Sequence, residues 1–352
     1  MTTTDPTCTA PGPAGASALD PTDPVVVRVW RSGEVESVHR GAWARVGVDG
    51  ELLEGRGDAR RPHFARSTIK SLQALPLIES GAAERFRLSE EELALALSSH
   101  NAEAIHTDRV RALLGRLGLD VDHLLCGPQP HRVPELRAAA QREGRPASPL
   151  DNNCSGKHAG FLALARHLDA DPATYLEPDA PVQHAVRQAV AEMCGVEASR
   201  LEHGVDGCSA PTFRLSVQEL AAGFARVGTP DGLAPERAAA CRRMTAAVAA
   251  HPALIAGEYK RLCTDLARVT GGRLFPKIGA EGLYCVAHVE RGEAFAIKLE
   301  DGQARGLHAA TVGLLGRFGW LTEDELEALA RWRPGIDRNW AGREVGRLEV
   351  VQ

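Results

Sequence analysis

The chain has 352 residues, 44% hydrophobic and 25% charged, with a formal net charge of −5, the profile of a globular protein of one large domain or two ordinary ones. That charge offers no electrostatic case for binding nucleic acid or an anionic membrane surface. No apolar run approaches the roughly 20 residues needed to cross a bilayer.

Residues 1–24 are rich in Thr, Pro, Ala, Gly and Asp, without a basic start or an apolar stretch. They read as a disordered tail and not as a signal peptide, which makes the cytoplasm the expected compartment. Pro24 to Trp30 reads as a strand, Arg31 to Glu34 as a turn, and Val35 to Val48 as further strand with a break near Gly41. Asp49-Gly50 is a hairpin-type turn, after which Glu51 to Leu53 continue the meander. Leu72, Leu75, Leu77 and Ile78 are spaced for a buried helix that starts near Ser67 and stops at Gly81. Ser89 and Glu92 form a capping-box pattern ahead of the apolar run Leu93 to Leu97. Helical patterns follow at about 105–118, 134–142, 157–168, 180–195, 216–227 and 235–251. Strands at about 283–289 and 293–300 flank the turn Arg291-Gly292, and 306–318 and 323–332 are helical again. Terminal strands around a helical middle predict one α+β unit, with a cleft between sheet and helices.

Eight cysteines (Cys8, Cys126, Cys154, Cys194, Cys208, Cys241, Cys263 and Cys285) are widely scattered. This does not suggest a disulfide framework, and most are expected as small buried hydrophobes. Lysine usage is more informative. Of 41 basic residues only five are lysine: Lys70, Lys157, Lys260, Lys277 and Lys298. Lysine can lose its proton when buried and arginine effectively cannot, so a retained lysine marks a place where that difference could matter. The bland alternative is drift in a biased genome.

Three of the five lysines sit in polar clusters. Ser67-Thr-Ile-Lys70 opens a helix, where i,i+3 spacing brings both side chains to one face. A neutral amine there could take the serine proton; the alternative is an N-cap serine beside a surface lysine. Asp151-Asn-Asn-Cys-Ser-Gly-Lys-His158 packs a thiol, an amine and an imidazole before an apolar helix. Cys154 there could be a nucleophile, a metal ligand or a buried structural thiol. Phe275-Pro-Lys-Ile-Gly-Ala-Glu-Gly282 places Lys277 in a loop before a strand, either solvated or functional. Two further segments join these: Ser98-Ser-His-Asn-Ala-Glu103 at the end of the apolar run, and Asp206-Gly-Cys-Ser-Ala-Pro211. Cys154 and Cys208 could hold a soft metal such as zinc or could simply be core cysteines.

Taken in order, 35–41, 66–77, Ser99-His-Asn101 with Glu103, 153–160, Asp206-Gly-Cys208 with Pro211, and 277–282 resemble the Rhizobium etli-type L-asparaginases, the class 3 group of the asparaginase II family. The resemblance covers about residues 25–310. It implies a single domain over 25–352 with the fold of serine β-lactamases and glutaminases, an antiparallel sheet with flanking helices and a helical lobe. It implies two serine–lysine pairs, Ser67 with Lys70 and Ser99 with Lys277, without saying which serine attacks first. It further implies Arg66 on a substrate carboxylate, His100, Asn101 and Asp206 around the substrate, and a modulatory zinc ion on Cys154, Lys157 and Cys208. A homodimer is also expected. The chain departs from the pattern at Ala102, where the family usually has glycine, and at Ser98, which adds a hydroxyl.

The activity implied is hydrolysis of L-asparagine to L-aspartate and ammonia through an acyl-enzyme. Competing readings are a glutaminase or other S-x-x-K acyl hydrolase, and a non-catalytic zinc-stabilised interaction protein. The Ser-Asp-Asn and Lys-Thr-Gly signatures of penicillin-binding enzymes are absent.

Overall fold

The computed structural model describes residues 23–351. Its centre is an antiparallel sheet. The strands are β1 (Val25–Arg31), β2 (Glu34–Gly47), β3 (Leu52–Arg56), β4 (His63–Phe64), β5 (His203–Val205), β6 (Pro211–Leu215), β7 (Leu274–Ile278), β8 (Leu283–His288), β9 (Glu293–Leu299), β10 (Ile336–Arg338) and β11 (Glu344–Val350). The main sheet runs β10-β11-β1-β2-β9-β8-β7, with β3 also on β2. A small second sheet runs β4-β6-β5. The expected α+β architecture is therefore observed.

β2 explains the break expected at Gly41. The strand is continuous, but its first half pairs with β1 and its second with β9 and β3. Gly41 lies at the crossing, where a Cβ would sit 2.0 Å from the Lys298 carbonyl oxygen. All six residues of β8 are buried, so both faces of the sheet are covered there. Helices Val217–Gly228 and Ala304–Arg317 pack on these strands.

The 283–300 hairpin, the Ser89–Glu92 capping box and the helices Pro134–Arg142, Ser155–His167, Pro181–Cys194 and Pro235–Ala250 match expectation closely. Other segments differ. The helix expected over 67–81 is a 3₁₀ turn, Arg66–Ile69, followed by two short α segments, Lys70–Gln73 and Leu75–Glu79. Pro76 lacks the N–H that would continue the ladder and so sets that interruption. Lys277 lies not in a loop but in β7, at the end of the strand order, where Pro276 is tolerated. Strands β4, β5, β6, β10 and β11 and the helices Pro252–Ala256 and Leu262–Val269 were not expected.

Residues 1–22 of the expected tail lie outside the described residues. Asp23 and Pro24 belong to the body: the buried Asp23 carboxylate pairs with Arg61, and the Pro24 carbonyl accepts the Gly41 N–H. All seven described cysteines are free and buried. No helix among the described residues is long and apolar enough to cross a membrane.

Candidate active site

The buried helix Glu90–Ala96 delivers Ser98-Ser-His-Asn101 to the seam between the helical lobe and β7. There the Ser99 hydroxyl lies 3.0 Å from Lys70 Nζ and 2.9 Å from Lys277 Nζ. Lys70 Nζ also donates to the Ser98 carbonyl at 2.6 Å and contacts Cys154 Sγ at 3.1 Å. Lys277 Nζ donates to the Ile278 carbonyl at 3.0 Å. Both lysines are essentially inaccessible, 1% and 0% exposed, and neither forms an ion pair with a carboxylate among the described residues. Burial pushes both pKa values down, and for Lys277 the positive charge of Lys70 adds to the effect.

Ser67 stands in the 3₁₀ turn and lines a cavity of about 320 Å³ together with Ser99, Asn101, Tyr259, Arg261 and Gly279. The structure does not join the Ser67 hydroxyl to Lys70, because the lysine amine is turned toward Ser98, Ser99 and Cys154. The two expected pairs thus converge on one hydroxyl, that of Ser99.

Cys154 caps helix Ser155–His167, Lys157 sits in its first turn, and Cys208 lies in the turn from β5 to β6. Lys157 Nζ is 3.1 Å from Cys208 Sγ. Hydrogen bonding from Cys154, then the charge of Lys157, pushes the Cys208 thiol far down, toward thiolate. The same contact and burial push Cys154 well up. Burial works against a charge on Lys157, but the two sulfurs and Asp206 outweigh it and hold its pKa raised. The cluster therefore favours charge on the Lys157 amine and on one of the two sulfurs.

Arg66 donates from Nε to Asp206 Oδ1 at 2.8 Å, and its Nη1 stands 3.9 Å from Glu281. Its backbone N–H binds the Thr212 hydroxyl, and its φ of +51° is left-handed. Lys260, Ser209, Glu281 and Ala102 share that unusual region, with φ from +50° to +68°. Non-glycine strain of this kind gathers around sites whose geometry is enforced by the surrounding structure. Ala102, the departure from the family's glycine, falls at such a position.

His100 does not line the cavity. Its Nδ1 accepts the Ala102 N–H at 3.0 Å, so its proton is on Nε2, which faces Ser155 Oγ at 3.0 Å. Burial, then His106 stacked 4.8 Å away, holds its pKa well below 6.5. It supports the loop instead of meeting a substrate there. Asn101 does line the cavity. Tyr259, Arg261 and Arg132 also line it, and the sequence reading missed all three. The scarce Lys260 between Tyr259 and Arg261 was the one available signal.

Two buried amines on one serine hydroxyl, beside a cavity of an α+β fold, are an arrangement suited to a serine–lysine hydrolase. The chain belongs to the L-asparaginase II family, whose model matches residues 27–350. Comparison with curated proteins gives no match. Among solved structures it is similar to a β-lactamase from Mycobacterium bovis, at 15% identity and a TM-score of 0.41, covering 79% of this chain and 94% of that one. It is also similar to a simvastatin synthase mutant from Aspergillus terreus, at 12% identity and a TM-score of 0.38, covering 74% and 86%.

Proposed function

We propose that the protein hydrolyses L-asparagine to L-aspartate and ammonia, with Ser67 as the acylated residue and Ser99, Lys70 and Lys277 as its proton-handling group. The observation that carries this is the Ser99 hydroxyl shared by two buried amines, 3.0 and 2.9 Å away, in one cavity with Ser67. Two such amines this close do not both hold a proton, so one is available as a base.

Backbone commitments favour Ser67 over Ser99 as nucleophile. The Ser99 N–H is spent on the Ile255 carbonyl, and the Ser99 carbonyl is held by Arg261. The N–H groups of Ser67 and Ala280 have no acceptor among the described residues, and both residues line the cavity. They are the donors for an oxyanion. In the first half-reaction Ser67 Oγ bonds to the amide carbon and its proton passes through Ser99 to a lysine. The C–N bond then breaks as that proton moves to the departing ammonia. Water reverses the sequence, releasing aspartate and restoring the serine proton.

Cys154, Lys157 and Cys208 would hold zinc. Two sulfurs and an amine suit that ion, and Lys157 Nζ already stands 3.1 Å from Cys208 Sγ. Among the described residues no cluster of three His, Cys, Asp or Glu offers a competing metal site. When bound, the ion would supply a fixed positive charge near Lys70, whose Nζ contacts Cys154 Sγ. Binding would require the neutral Lys157 amine, so it should weaken as pH falls.

Ammonia release from L-asparagine, beside L-glutamine and with and without chelator, tests this reading. Near wild-type release by both Ser67→Ala and Lys277→Ala would overturn it. The expected homodimer belongs to the same proposal and is read by light scattering.

A further inference from the structure

We propose that Arg261 receives the α-carboxylate of the substrate: its guanidinium lines the cavity shared by Ser67 and Ser99, and no carboxylate of the described protein pairs with it. This rests on the hydrolase reading above and adds to it a binding residue that neither the motifs nor the family resemblance supplied.

The loop carrying Arg261 is held rigidly. Gly257 has φ +115°, and a Cβ there would lie 2.6 Å from Glu103 Oε1 and 2.7 Å from Asn101 Nδ2. The Glu103 carboxylate accepts the Glu258 N–H at 3.1 Å, and Asn101 Nδ2 donates to the Tyr259 carbonyl at 3.0 Å. Arg261 then reaches back into the site. Its Nη1 donates to Asn101 Oδ1 at 2.7 Å and to the Ala256 carbonyl at 3.3 Å, and its Nη2 to the Ser99 carbonyl at 2.6 Å. Three of its five N–H groups are thus spent, all on neutral oxygens. Nε and one hydrogen on Nη2 keep no acceptor among the described residues.

Several half-buried arginines here are neutralised by carboxylates, and two that are not, Arg187 and Arg226, donate to carbonyls away from the cavity. Arg61 pairs with Asp23 and Glu300, Arg237 with Glu79, and Arg273 with Glu325. Burial brings the Arg261 pKa down from 12.5 to about 10, still cationic at neutral pH; the charge of cavity-lining Arg132 works in the same direction, and Cys263, Tyr284 and the carboxylate of Glu103, which is not bonded to it, only partly oppose it. An unneutralised cation withdrawn from water is costly unless an anion completes it, and a guanidinium fork matches a carboxylate. Arg66 is the less suitable receiver. Asp206 already occupies its Nε, and a substrate carboxylate placed there would face that aspartate. L-Asparagine carries its amide and its carboxylate two carbons apart, so one small cavity can offer Ser67 to the first and Arg261 to the second.

The full chain is assayed with L-asparagine and with β-alaninamide, the same amide without the α-carboxylate, as wild type, Arg261→Gln, Arg261→Lys and Arg66→Gln. Arg261→Gln is expected to lower kcat/KM for asparagine about 100-fold, the loss of a charged hydrogen-bonded pair, mainly through KM. Its kcat/KM for β-alaninamide should stay within about 3-fold, since that substrate never uses the pair. Equal loss on both substrates through kcat would overturn the assignment and leave Arg261 as a positioning residue for Ser99. An unchanged KM for asparagine, or the same split in Arg66→Gln, would overturn it too. Should Arg261→Gln fail to fold, the melting temperature of Arg261→Lys with added L-aspartate decides. A smaller rise than wild type supports the proposal, and an equal rise refutes it. Stabilisation by aspartate does not need turnover. A wild type that binds aspartate through Arg261 but releases no ammonia would refute the hydrolase reading and keep the carboxylate site.

Discussion

Lys277 and Lys157 are equally hidden from water, at 0% and 3% exposure, yet they carry opposite tendencies. Around Lys277 are a serine hydroxyl, a carbonyl and a second amine, so burial wins and the neutral form is favoured. Around Lys157 are two sulfurs and the field of Asp206, so the charged form is favoured. Lys70 stands between the two groups, touching Ser99 on one side and Cys154 on the other. Burial alone does not set a lysine's chemistry. The sign of the neighbouring charge does, and it sets Lys277 and Lys70 apart from the Lys157–sulfur cluster.

The largest test of this contrast is Lys277→Arg. Arginine keeps the cation but cannot give up its proton, so ammonia release should fall about 10³-fold or more, within the range of a lost general base, while circular dichroism stays native. Retained activity would mean that Lys277 never acts as a neutral amine. At the sulfur cluster, Cys208→Ser removes the thiol that the buried Lys157 Nζ contacts at 3.1 Å. Breaking a buried pair typically costs about 3–5 kcal/mol, read by urea unfolding. The same change should weaken zinc binding, followed by competition with a chromogenic chelator, by at least about 10-fold.

Acid stability gives a smaller effect with a definite sign. His63, His158, His288 and His308 are each brought from 6.5 to about 4, by burial first and nearby cations second. Between those values the unfolded chain binds more protons than the folded one, so folding stability falls as pH drops from 6.5 toward 4 and is flat in this respect above 6.5. Chemical unfolding midpoints across that range would show the slope, and no slope would contradict the neutral state of these histidines. Smallest of all, Ala102→Gly relieves a φ of +58°. It should raise stability by about 0.5–1 kcal/mol, the left-handed strain less the added chain entropy of glycine, seen as a slightly higher melting temperature.

Local signals were legible in the sequence. The Arg291-Gly292 turn gave the β8–β9 hairpin, and Ser89 with Glu92 gave a helix start, because those patterns depend on neighbours only. β10 and β11 were not, because their many charged residues (Asp337, Arg338, Glu344, Arg347 and Glu349) break the apolar alternation of a half-buried strand. β7 was hidden by Pro276, which reads as a break unless the strand is known to lie at the sheet's end. Lysine scarcity pointed usefully to Lys70, Lys157 and Lys277, and all three are buried beside one another's partners. The sharing of Ser99 by two of them was not legible, since i,i+3 spacing describes a regular helix and the chain makes a 3₁₀ turn there. Arg261 was invisible among 36 arginines, because what sets it apart is its place on the cavity, held by neutral oxygens, and neither is written in a local pattern.

The Ser99–Lys277 hydrogen bond joins residues 178 positions apart. Such a contact closes only after the helical lobe and the second half of the sheet have found each other, a slow search for any chain. In refolding from urea, helical dichroism should therefore return well before ammonia release does. The interval between the two signals times the docking of one lobe onto the other, which makes the shared hydroxyl a built-in clock for the last step of folding.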